Sequence, residues 1–110
     1  MSTGCNSDVT EPFALRVMGD SMTPEFEDGA IIIVDPAAPC NHGAYAVIEH
    51  AGEIIFRQFI VEDDQQFMKP LNDSYETVPL VGQYDVRGVV IQQNYKRKRK
   101  HYEWSPKHNA

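Results

Sequence analysis

Apolar residues alternate with polar ones, or gather in short Val-, Ile- and Phe-rich blocks, through most of the chain. The blocks are FALRV (13–17), AIIIVD (30–35), AYAVIEH (44–50), EIIFRQFIVE (53–62), QQFMKPL (65–71) and YDVRGVVIQQ (84–93). A period of two with β-branched and aromatic enrichment predicts strands. The segments between them, DPAAPCNHG, HAG, EDD, LNDS and VGQ, are rich in turn formers. One stretch, SMTPEFED (21–28), reads as helical, with Ser21 placed to cap its first turn and Pro24 tolerated there. Short strands at regular spacing with one short helix predict a mainly β fold, coiled and antiparallel, of sandwich or partial-barrel type. No internal repeat and no second core is visible. The expected organisation is a flexible leader (1–12), a folded body (13–94) and a basic tail (95–110).

A length of 110 residues allows one domain with one modest core. No apolar run approaches the roughly 18 residues of a membrane span, so no membrane partner is expected. The leader has neither a basic segment nor an apolar one, unlike a signal peptide. A Gly4-Cys5 pair is a lipidation cue without its hydrophobic context. Cys5 and Cys40 lack metal-ligand spacing. Reduced cysteines in the cytoplasm, with no metal and no cofactor, are the expectation.

Charge is divided unevenly. Residues 95–110 hold six Lys/Arg and one Glu, whereas residues 1–94 hold four Lys/Arg against fifteen Asp/Glu, a balance of −11. The body repels polyanions. The run Lys96, Arg97, Lys98, Arg99, Lys100 can attract phosphates, with Tyr95, Tyr102 and Trp104 as stacking groups for weak nucleic-acid contact. The alternative is a solvated extension, paired in places with its own acidic body.

Ser21 lies between Asp20 and Met22, after Gly19, in a turn that exposes a hydroxyl and aims backbone N–H groups at one space. That is the layout of a nucleophile with an oxyanion hole. A lone turn of this kind serves equally as a helix cap.

The run VMGDSMTPEFEDGAIIIVD, then HGAYAVIEHAGEIIFRQF, then YDVRGVVI, resembles in order and spacing the LexA and UmuD type of self-cleaving serine peptidase domain, also found at the C-terminus of phage repressors. The resemblance covers residues 13–92. It implies the LexA C-terminal fold, Ser21 as the nucleophile position, Asp20 and Met22 in the turn that supplies the oxyanion backbone, and a homodimer built on the C-terminal strands. It also implies a lysine as general base on the strand after the Gly52-Glu53 hairpin, and there this chain has Arg57. A guanidinium stays protonated and cannot act as a base. Lys69, His42 and His50 are the substitutes the sequence offers. Self-cleaving relatives carry an Ala-Gly or Cys-Gly bond some 35 residues before the serine, and only twenty residues precede Ser21 here.

Two functions follow. One is a regulatory or interaction module with impaired or absent proteolysis, binding a protein partner or dimerising through VRGVVIQ, in a DNA-damage or phage-repressor setting. The other is an active serine peptidase that acts in trans on a peptide substrate through Ser21 and a non-standard base.

Overall fold

A computed structural model describes residues 11–103. The leader beyond its last two residues, with Cys5, and the end of the chain, with Trp104, lie outside the described residues. Among these residues eight strands are present: β1 (Phe13–Arg16), β2 (Ile31–Asp35), β3 (Tyr45–His50), β4 (Glu53–Glu62), β5 (Gln65–Lys69), β6 (Val78–Pro79), β7 (Tyr84–Tyr95) and β8 (Lys98–His101). They form a single antiparallel sheet in the order β1-β2-β7-β3-β4-β5-β6, with β8 also paired to β7. This is the coiled, mainly β architecture that the alternating pattern predicts.

Tight turns make the antiparallel order possible. β3–β4, β4–β5 and β7–β8 each join through two residues with positive φ: Ala51 and Gly52, Asp63 and Asp64, Lys96 and Arg97. Two left-handed residues match the right-handed twist of the flanking strands.

β7 is the spine. It pairs with β2 along one edge, and with β3 and then β8 along the other. Its pairing slips by one residue against β2 between Ile33 and Val34, and against β3 between Val47 and Ile48. Bulges of this kind increase twist and bend the sheet. The curled sheet encloses two apolar clusters. One gathers Val17, Met22, Phe26, Ala30, Ile32, Val34, Val47 and Val90. The other holds Ala44, Ala46, Ile48, Phe59, Met68, Leu80 and Val89.

Three expectations change. No helix forms over residues 21–28; the segment is a run of turns. A helix would need the Ser21 carbonyl to accept from Glu25, but that carbonyl accepts from the N–H groups of Leu71 (3.1 Å) and Asn72 (3.0 Å). A single helical-type bond, Phe26 N–H to Met22 O at 2.9 Å, is all that remains. Next, the edge of VRGVVIQ is partly closed: it pairs with β3 over Val86–Val89 and with β2 over Val89–Gln92, which leaves residues 86–88 without a strand partner on the β2 side among the described residues. Finally, residues 98–101 of the basic segment form a strand, and β7 extends to Tyr95.

Candidate active site at the Ser21 turn

The loop from Met18 to Asp28 is closed at its base by two backbone bonds, Val17 N–H to Ala30 O and Gly29 N–H to Val17 O, both 2.8 Å. Gly19 sits at φ +86, a conformation in which a side chain would be strained. Its N–H donates to the Asp28 carboxylate at 2.7 Å. Met22 and Phe26 are buried and pin the loop into the first apolar cluster. The Phe26 ring meets those of Tyr45 and Phe56 edge-on at 4.9 and 5.1 Å. Met22, placed in the turn by sequence, thus contributes an anchor, and the neighbouring Ser21 is left half-buried at the surface.

Residues 71–75 clamp the turn from the other side. Besides the two bonds to the Ser21 carbonyl, the Asp20 carbonyl accepts from Thr23 N–H (3.2 Å), Thr23 Oγ1 (2.9 Å) and Asn72 Nδ2 (2.9 Å). The Tyr75 hydroxyl donates to the Asp20 carboxylate at 2.7 Å, a contact that raises the phenol pKa. Asn72 holds its own loop by accepting from Ser74 N–H at 2.9 Å. Sequence reading treated LNDS as a plain turn and missed both Asn72 and Tyr75. The Asn-x-Ser spacing of a side-chain-to-backbone turn was the available signal.

Ser21 and Arg57 line one groove of about 480 Å³, whose apolar walls include Leu15, Met18, Ile54 and Phe56. Arg57 lies on β4 opposite Ala46. Its Nη1 donates to the Phe56 carbonyl at 2.8 Å, and its guanidinium carbon lies 5.9 Å from the centre of the Tyr75 ring. Its Nε is buried with no partner among the described residues. Burial lowers the Arg57 pKa, with Tyr75 opposing.

The alternative bases are elsewhere. His42 and Lys69 border a different hollow of about 460 Å³ with Glu62, Phe67 and Thr77. His42 Nδ1 accepts from Val61 N–H at 2.9 Å. His50 Nε2 lies 3.0 Å from the Val81 carbonyl, so this nitrogen carries the proton.

The basic residues are ordered through Lys100. The Glu25 carboxylate accepts from Lys100 Nζ (2.5 Å) and from the Tyr102 hydroxyl (2.6 Å). Gln93 Nε2 donates to Tyr102 Oη at 2.7 Å and to the Glu25 carbonyl at 3.0 Å. Desolvation pushes the Glu25 pKa up, but the Lys100 and Tyr102 hydrogen bonds outweigh it and hold the pKa below its ordinary value. Burial and the bond to Glu25 push the Tyr102 phenol up. The Cys40 thiol is pushed up to about 11 by burial, which suits an inert packing residue. Among the described residues no helix is long and apolar enough to cross a membrane, and no three His, Cys, Asp or Glu side chains gather to hold a metal.

The Peptidase S24-like family model matches residues 2–91. The HTH-type transcriptional regulator for conjugative element R391 of Providencia rettgeri is 38% identical over 87 residues, which cover 73% of this chain and 40% of the regulator. The prophage repressor CohE of Escherichia coli (strain K12) is 35% identical over 83 residues, covering 72% of this chain and 37% of CohE. Repressor protein C2 of Salmonella phage P22 is 33% identical over 87 residues, covering 74% and 40%. The chain therefore spans well under half of the length of these relatives.

Proposed function

This chain belongs to the Peptidase S24-like family, and on that footing we propose that it is a regulatory module in which the peptidase site is kept in shape but disarmed. The observation that carries this reading is Arg57 in the groove of Ser21. The family mechanism needs a neutral amine there to take the serine proton, and a guanidinium remains a cation under ordinary protein conditions. The contacts of the Arg57 guanidinium, with the Phe56 carbonyl and the Tyr75 ring, suit a cation. The groove itself stays open, so it can still receive an extended peptide segment. The regulatory role is supported by the repressors and transcriptional regulators among its relatives.

Self-association is part of the proposal. Among the described residues, the open backbone edges include those of β1, β6 and β8. Unpaired edges are the usual places for strand pairing between copies. Sedimentation velocity at micromolar concentration tests this, and a monomer throughout would exclude it.

The disarmed site is tested by intact mass after exposure to a small fluorophosphonate. Wild type is expected to remain unmodified at Ser21. An adduct that forms on wild type and is absent from Ser21→Ala would overturn the reading and return the protein to the active peptidases.

A further inference from the structure

We propose that the β7–β8 hairpin is a binding site for the phosphate backbone of duplex nucleic acid. Five consecutive cations, Lys96 to Lys100, are carried on an ordered ribbon, with Tyr95 opposite Lys98, Asn94 opposite Arg99, Gln93 opposite Lys100 and Gln92 opposite His101. Opposed residues share a face of an antiparallel ribbon. Lys98 and Lys100 therefore face the same way as Tyr95 and Gln93, while Arg99 and His101 face the other way.

The tip is unusual in its residues. Lys96 and Arg97 hold φ of 50 and 70, the left-handed seats that Asn-Gly or Asp-Gly fill most easily. The other two tight hairpins of this chain place Ala51-Gly52 and Asp63-Asp64 in the same seats. Lysine and arginine give such a turn no conformational advantage; they give it charge.

Those charges are available. Of the five cations, Lys100 is tied to Glu25. Among the described residues no carboxylate lies within ion-pair distance of Lys96, Arg97, Lys98 or Arg99. Arg99 Nε donates to the neutral Asn94 side chain at 3.3 Å, and Lys96 lies over the Tyr95 ring at 5.2 Å. Glu25 and Glu27 border the hollow beside Lys98 to Lys100. The tip stands three residues further on from Lys100, about 10 Å along a strand, which is about one Debye length at physiological salt. At that distance screening reduces the pull of Glu25 on the tip about threefold.

The partner's chemistry follows from what the ribbon lacks. All four residues of β8 are exposed and polar, so this strand presents no apolar face to a protein or a bilayer. Tyr102, a stacking candidate by sequence, is packed against Phe26 and Tyr45, both with ring centres at 5.5 Å. Tyr95 is already covered by Lys96. Single-stranded bases would need free rings, whereas a two-stranded ribbon of cations fits the groove and phosphates of a duplex.

The test is fluorescence anisotropy of the full chain with a labelled mixed-sequence duplex, measured against salt. Four free cations predict a slope of log affinity against log salt of about −3.6, or roughly 100-fold weaker binding at 200 mM than at 50 mM. The variant K96N/R97G removes two charges while installing the pair this turn favours, so it is expected to fold with an equal or higher Tm. Its slope is expected to fall to about −1.8. A second variant, K98Q/R99Q, is expected to lower the slope likewise. No duplex binding at low salt, an unchanged slope in folded K96N/R97G, or tighter binding of a single strand of the same length would each overturn the proposal.

Discussion

Replacing Arg57 by lysine should arm Ser21. The same groove would surround either side chain, so the burial that lowers the Arg57 pKa acts on an introduced amine as well. For an equal shift, the ratio of neutral forms depends on the gap between the unperturbed values, that of lysine lying about two to three units below that of arginine. A gap of about two to three units makes the neutral fraction roughly 100- to 1000-fold larger in Arg57→Lys at any pH below both values. If proton removal by that group limits attack, the rate of Ser21 labelling rises by the same factor. The assay is the initial rate of fluorophosphonate adduct formation by intact mass between pH 7 and 10, with S21A/R57K as the blank. The rate should climb about tenfold per pH unit until the amine's own pKa is passed. An Arg57→Lys protein that melts like wild type and labels no faster would refute the reasoning. The serine turn would then be structural, or the groove would not bring a base to it.

Two further outcomes follow from the packing and the charges. A Cβ at Gly88 would lie 2.5 Å from Val34 Cγ1 and 3.1 Å from the backbone of Asp35, with Val34 fully buried; Gly88→Ala should cost about 1–3 kcal/mol in urea unfolding, and a neutral result would show that β2 gives way freely. Glu25, with its lowered pKa, contributes stability that is present above the ordinary glutamate range and lost as pH falls through its folded value. Tyr102 and Lys100, with raised values, contribute stability present below their ordinary ranges near 10 and lost as pH rises. Tm against pH should therefore show a plateau between those ranges, and Glu25→Gln should lower the plateau and flatten its acid side; parallel curves for the two proteins would contradict the clamp.

The strands were legible because their causes are local. Each alternates polar and apolar residues between turn formers, and β4 occupies the very residues 53–62 that the pattern marks. The serine turn was legible by its resemblance to a family, through Gly19, Ser21, Met22 and the Asp28-Gly29 pair. The helix expected over residues 21–28 failed for a reason outside the segment: acceptors it would have used are engaged by Leu71 and Asn72, about fifty residues away. β8 was missed because five consecutive cations read as a solvated tail. Their order comes from Lys100 and Tyr102 reaching Glu25, a contact across more than seventy residues.

By itself, then, the sequence determined what depends on neighbours in the chain: the period of two, the tight turns, the serine in its loop and the arginine on β4. Tertiary structure alone decided which of those residues meet. It placed Arg57, and not Lys69, His42 or His50, in the groove of Ser21. It also stood the basic run on a ribbon, because curling the sheet around Phe26 brings Tyr102 into the core and sets Lys100 beside Glu25.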